Sequence, residues 1–177
     1  DNINNGIKWA VDHGADVINM SLGIKHTGGG LPHEDVIKYA INKNVTIVAA
    51  SGNDGTQEMY YPAALDGVIA VGAVDLTGRV TSFTSYVAPG YHIYSSFPDG
   101  KYAYLSGTSQ ASPYVSGSIG LMKSFASEKG IKLSNRQINY ILRSSSDRLT
   151  DKVRDARSGF GLLNLADSFK LLNNLLS

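Results

Sequence analysis

Two helix-then-strand steps followed by a third apolar run constrain this chain more than anything else in it. Ile3, Ile7, Ala10 and Val11 recur at helical spacing, and the stretch "ADVINMSL" that follows reads as a buried strand ending at Gly23. Val36, Ile37, Ala40 and Ile41 repeat the helical face, and "VTIVAAS" repeats the strand, stopping at the turn Gly52-Asn53. "VIAVGAV" is the third run. Successive units of this kind predict an α/β fold, a mostly parallel central sheet with helices on both faces. Residues 79–106 change character. Gly, Pro, Ser and Tyr punctuate "RVTSF", "YHIYSS" and "YAYLS", which suit hairpins and surface loops. Helical patterns then return, one starting at Thr108 or Ser109 and running to about Glu128. Ser134 with Gln137 forms a capping box for another, and Asn164 caps the last.

Composition narrows the function classes. Sixteen Lys and Arg against fifteen Asp and Glu leave a net charge of +1, with no basic block to grip phosphates, so nucleic acid is not an expected partner. The chain has no cysteine, which removes disulfides and thiolate metal sites. No apolar run approaches the length of a membrane span, and the first residues do not resemble a signal peptide. Neither GxGxxG nor GxxxxGK[ST] follows any predicted strand, which argues against a nucleotide-binding domain.

The chemistry concentrates in "SGTSQASPYVSGSIGLM". A glycine and two hydroxyl residues stand immediately before an apolar helical pattern, so Ser109 is expected at the positive end of a helix dipole. Taken alone, such a stretch reads as an N-cap after a tight turn, and only further context favours a nucleophile. A serine becomes a fast nucleophile only with an adjacent base and with donors aimed at the developing oxyanion.

Together "GTSQASPYVSG", "IVAASGND" and "DVINMSLG" resemble three blocks of the subtilisin-like serine proteases, in the same order and at similar separations. "YPAALDGVIAVGAVD", "TSFTSY", "VAPG" and "GFGLLNL" extend the resemblance over almost the whole chain, residues 1–177 being read as the C-terminal part of one catalytic domain. The resemblance implies a three-layer fold whose first strands lie outside this chain. It implies Ser109 as nucleophile, with the Asn53 side-chain amide and the Ser109 N–H as oxyanion hole. It also implies that Ser21, Leu22 and Gly23 pair with substrate backbone, and that Ala50, Ser51 and Gly52 form a wall of the S1 pocket. Asp54, with Glu58 in the same loop, stands where the family shapes the S1 entrance, and carboxylates there would favour a basic P1 residue. Tyr61-Pro62 matches a cis bond in the family.

Departures from the family pattern matter as much. No Asp-Thr-Gly, Asp-Ser-Gly or His-Gly-Thr block occurs. The family's chain order is Asp, His, Ser, so the other two triad members are expected N-terminal to Asp1, and that N-terminal part of the same protease is an expected partner. His13, at a helix end, and His26, His33 and His92, in loops, are expected to be solvent-exposed and not to replace the base. Gln110 and Tyr114 replace a common methionine and histidine, and the loop from Asp54 to Tyr61 is shorter than in bacterial relatives. No cofactor is required for the chemistry, and no side-chain metal site is expected. Structural calcium on the carbonyls of Ala63, Leu65 and Val68 is what some relatives would suggest. The implied function is a secreted bacterial endopeptidase that cleaves a peptide or protein substrate through an acyl-enzyme, processing a precursor after a basic residue. Lantibiotic leader peptidases are the nearest subgroup; a degradative subtilisin or a peptide-binding pseudoprotease are the alternatives.

Overall fold

The computed structural model describes residues 2–26, 28–55, 58–75 and 84–177. The first predicted step is α1 (Asn2–Asp12) followed by β1 (Val17–Met20), and a two-residue strand β2 (Ile24–Lys25) comes next. The second step is α2 (Glu34–Asn42) and β3 (Thr46–Ala50); β4 (Tyr60–Tyr61) and β5 (Ile69–Val74) follow. Then come β6 (Tyr86–Pro89), β7 (Ile93–Phe97), β8 (Lys101–Leu105), α3 (Thr108–Glu128), α4 (Asn135–Ser145) and α5 (Leu165–Leu175).

The central sheet has the order β1-β3-β5-β6 and is parallel throughout, with Val17 opposite Thr46, Val48 opposite Ile69 and Val71 opposite Tyr86. All five residues of β3 are buried, as a central parallel strand requires, because helices cover both faces. Its side chains divide by parity. Ile47 and Ala49 pack with Ile7, Val11, Ile37 and Ala40 of α1 and α2, whereas Val48 joins Val115, Ile119 and Met122 of α3, Ile138 and Leu142 of α4 and Leu172 of α5. The result is the three-layer arrangement that the α/β pattern predicted.

Three expectations need correction. The run ending at Gly23 is a strand only to Met20, and it is half-buried because β1 is an edge of the described sheet; Ser21, Leu22 and Gly23 are exposed. Among the described residues within 79–106, β7 and β8 form the one hairpin. Tyr86–Pro89 is instead the fourth parallel strand, its first three residues buried, and "RVTSF" lies outside the described residues. The loop after Asn53 also carries β4, paired antiparallel with β2.

The helix ends follow local chemistry. Both arms of the Ser134–Gln137 box are present, Gln137 N–H donating to Ser134 Oγ at 3.1 Å and Ser134 N–H to Gln137 Oε1 at 2.8 Å. Asn164 Oδ1 accepts from Asp167 N–H at 3.0 Å. The Tyr61-Pro62 bond is cis.

Candidate active site

Parallel strands deliver their C-terminal ends to one edge of the sheet, and that edge is where α/β folds build their sites. Here β1 ends just before Ser21 and β3 just before Ser51, while α3 begins at Thr108. Gly107 makes the entry into α3. Its φ of +149° is one that side chains rarely adopt, and a Cβ there would stand 3.1 Å from Gln110 Oε1 and 3.2 Å from Asn53 Nδ2. Its carbonyl accepts the first helical N–H groups, from Gln110 at 3.1 Å and Ala111 at 3.2 Å.

Asn53 is oriented by the same turn. Thr108 N–H donates to Asn53 Oδ1 at 2.8 Å. A backbone N–H can only donate, so the atom facing it must be the amide oxygen, which leaves the NH₂ group as a donor beside the nucleophile turn. Among the described residues nothing accepts from Ser109 N–H, one of the orphan donors of a helix start. Asn53, named from a separate motif, is thus bonded to the residue before Ser109, at the positive end of a 21-residue helix.

Ser109 and Ser21 are bonded to each other. Ser109 Oγ donates to the Ser21 carbonyl at 3.1 Å, and Ser21 Oγ donates to the Ser109 carbonyl at 2.8 Å. The second bond has a cause four residues on. Pro113 lies inside α3 and has no N–H, so the Ser109 carbonyl lacks its helical partner and takes the Ser21 hydroxyl instead. Asn19, which the sequence reading passed over, sets the Ser21 rotamer: its Nδ2 donates to Ser21 Oγ at 2.9 Å, and its Oδ1 accepts from Ser112 at 2.7 Å and Ser116 at 2.8 Å. Only the one-turn spacing of Ser112 and Ser116 signals it. Ser21→Ala should therefore loosen the start of α3, and loss of the bond to the Ser109 carbonyl, about 0.5–1.5 kcal/mol, predicts a roughly two- to thirteenfold fall in turnover, measurable by steady-state kinetics.

The expected S1 wall is occupied. Ala50 and Ser51 are buried, the Ser51 N–H and hydroxyl both donating to the Val71 carbonyl at 3.0 Å. Gly52 has φ +98°, and a Cβ there would lie 2.6 Å from the Tyr60 ring, so that ring covers the glycine. Tyr60 donates its hydroxyl to Asp54 Oδ2 at 2.5 Å. Lys25 holds both carboxylates of the loop, Asp54 at 2.6 Å and Glu58 closely. Hydrogen bonds from Lys25 and then Tyr60 keep the Asp54 carboxyl below its ordinary range, and the same carboxylates raise the Lys25 ammonium. Neither Tyr60 nor Lys25 was singled out from sequence; no local pattern announces a pairing across β2 and β4.

None of the four histidines hydrogen-bonds to Ser109. The His13 ring stacks on Trp9 at 4.0 Å, His26 reaches the Gly29 carbonyl, and His92 stacks between Tyr91 and Tyr104. His26 and His33 are half-buried, a correction to the expectation that all four are solvent-exposed. His33 is the more constrained. It precedes α2 with φ 64°, its ring meets Asn4 Oδ1 at 2.6 Å, and partial burial lowers its pKa. Among the described residues no cluster of three His, Asp or Glu side chains could hold a metal. Of the carbonyls considered for calcium, that of Leu65 accepts from Val68 N–H at 3.2 Å and retains a second lone pair.

Comparison with known proteins places this geometry in context. Subtilisin DY of Bacillus licheniformis is 39% identical over 170 residues, covering 90% of this chain, and the major intracellular serine protease of Bacillus subtilis (strain 168) is 41% identical over 135 residues, covering 70%. The chain spans 59% and 42% of those two relatives. A solved structure of the patellamide maturation protease PatA superposes with a TM-score of 0.86 at 34% identity, over 97% of this chain and 68% of that one. The subtilase (Peptidase S8) family model matches residues 1–161, and the chain belongs to that family.

Proposed function

We propose that the protein carrying these residues is a serine endopeptidase, in which Ser109 Oγ attacks the scissile carbonyl and water later hydrolyses the acyl-enzyme. The observation that carries this reading is the bond from Thr108 N–H to Asn53 Oδ1, which holds the Asn53 amide one residue from Ser109 at the start of α3. The tetrahedral oxyanion would receive the Asn53 NH₂ and the Ser109 N–H, donors already oriented before substrate arrives. For attack, the Ser109 hydroxyl must exchange the Ser21 carbonyl for a base. We assign that base, and the carboxylate that orients it, to sequence N-terminal to Asp1. Cleavage of an unstructured protein by the full-length enzyme tests the reading; peptide binding without cleavage would favour the pseudoprotease alternative.

The finer reading is precursor processing after a basic residue, supported by two carboxylates, Asp54 and Glu58, around one Lys25, and by the likeness to a maturation protease. A P1 Arg or Lys would compete with Lys25 for them. Peptides with Arg or Lys at P1 should be cleaved faster than those with Phe or Leu; Asp54→Asn should narrow the gap, and Lys25→Ala should widen it. Equal kcat/KM across the four residues would remove this part. Ser21, Leu22 and Gly23 would pair with substrate backbone, and a P1 side chain would reach the Ala50, Ser51 and Gly52 wall only once the Tyr60 ring swings off Gly52. Secretion is the proposed setting, by likeness to subtilisin DY. Because another relative is intracellular by name, fractionating a culture decides it.

A further inference from the structure

The subtilase reading leaves the arginines unused. The sequence has six, and among the described residues none of Arg136, Arg143, Arg148, Arg154 and Arg157 enters a salt bridge; the ion pairs found there are all made by lysines. Three of them converge. Arg136 and Arg143 lie two turns apart on α4, a helix with no carboxylate in its sequence, and with Tyr86, Asn139, Tyr140 and Phe160 they line a cavity of about 490 Å³. The Arg143 and Arg154 guanidinium groups both sit over the Phe160 ring, at 5.5 and 5.8 Å. The carboxylates of the facing loop are engaged elsewhere or uncommitted to these arginines: Asp155 accepts from Arg157 N–H and Ser158 N–H, and Asp147 from Asn164.

We propose that Arg136, Arg143 and Arg154 form a docking groove for an acidic stretch of polypeptide. Seven helical residues separate Arg136 from Arg143 by about 10 Å along the axis, a span that a polyproline II peptide, with three residues per turn, covers in roughly three residues. Carboxylates three residues apart share one face of a polyproline II segment and can each meet one of the two forks in the bidentate geometry that guanidinium favours. The cavity of about 490 Å³ has room for more than one carboxylate. That the occupant is polypeptide rests on the protease reading, and on continuity: Arg154 also lines the neighbouring cavity together with Ser51, Glu58 and Tyr60, beside the proposed S1 wall.

The test uses full-length protein carrying Ser109→Ala, so that binding is read without turnover. A fluorescent peptide with Asp at every third position is titrated by anisotropy against the same peptide with Asn in those places, at low and high salt. The acidic peptide should bind more tightly, and the difference should shrink with salt. Arg136→Ala with Arg143→Ala should weaken it roughly tenfold, while the double lysine variant keeps most of the affinity. Equal affinity for the Asn peptide overturns the proposal without needing any variant to fold. Unchanged binding by a folded double-alanine protein, or full displacement by inorganic phosphate at equal concentration, overturns it as well. Hydrolysis of a neutral peptide by the unsubstituted protein is measured separately. Acidic binding without cleavage supports the groove and counts against the protease reading; cleavage without acidic binding overturns the groove alone.

Discussion

Ser109→Ala is expected to lower the turnover of the full-length protein by about 10⁶-fold, the size of the effect in subtilisin, with peptide affinity nearly unchanged. The reason is local. Removing Oγ removes the attacking atom, but Ser109 N–H, the Asn53 amide and the Ser21–Gly23 edge all remain. What survives is therefore oxyanion stabilisation and substrate binding, worth about 10³ to 10⁴ over the reaction in water. Among the described residues Ser109 Oγ makes one hydrogen bond, to the Ser21 carbonyl, and the bond from Ser21 Oγ to the Ser109 carbonyl does not depend on it, so α3 should start at the same place in the variant. Rates from single-turnover kinetics, with peptide affinity from anisotropy, check both halves. A variant retaining a tenth of the activity would mean that another group is the nucleophile.

Asn53→Ala carries the second large expectation, a fall of about 10² to 10³ in kcat with little change in KM, the range that subtilisin shows for its oxyanion asparagine. The donor acts on charge that develops only in the transition state, so the ground-state complex should not notice its loss. Asn53 has a further job here, because its Oδ1 receives Thr108 N–H at 2.8 Å. Asn53→Asp separates the two roles: it keeps the acceptor for Thr108 but offers a charged oxygen where the oxyanion should form. If Asn53 only shaped the turn, aspartate would restore activity that alanine loses. The oxyanion account predicts that aspartate is at least as damaging as alanine.

How much of this was legible in advance depended on whether the determining interaction was local. Gly107, Thr108 and Ser109 read correctly because a glycine turn and a helix start are written within a few residues. The Ser134 and Asn164 caps read correctly for the same reason. β3 was clear because a buried parallel strand is a continuous apolar run. β6 was not: "YVAP" is four residues long, ends in proline and has no alternation to count, and it is a strand because β5 lies beside it. The distal pairings were equally silent. Nothing near Lys25 predicts Asp54 and Glu58, and nothing near Gly52 predicts that the Tyr60 ring will cover it. The part of the site that belongs to one segment was readable, and the part that depends on β2 meeting β4 was not.

The most direct test of the central claim is to treat the full-length protein with a fluorophosphonate, which phosphonylates an activated serine, and to locate the adduct by tandem mass spectrometry. The account predicts one phosphonyl group, on Ser109, formed in step with loss of activity, absent from Ser109→Ala and slowed in Asn53→Ala. An adduct on Ser21, Ser112 or any other serine, or complete inactivation with Ser109 unmodified, would contradict it.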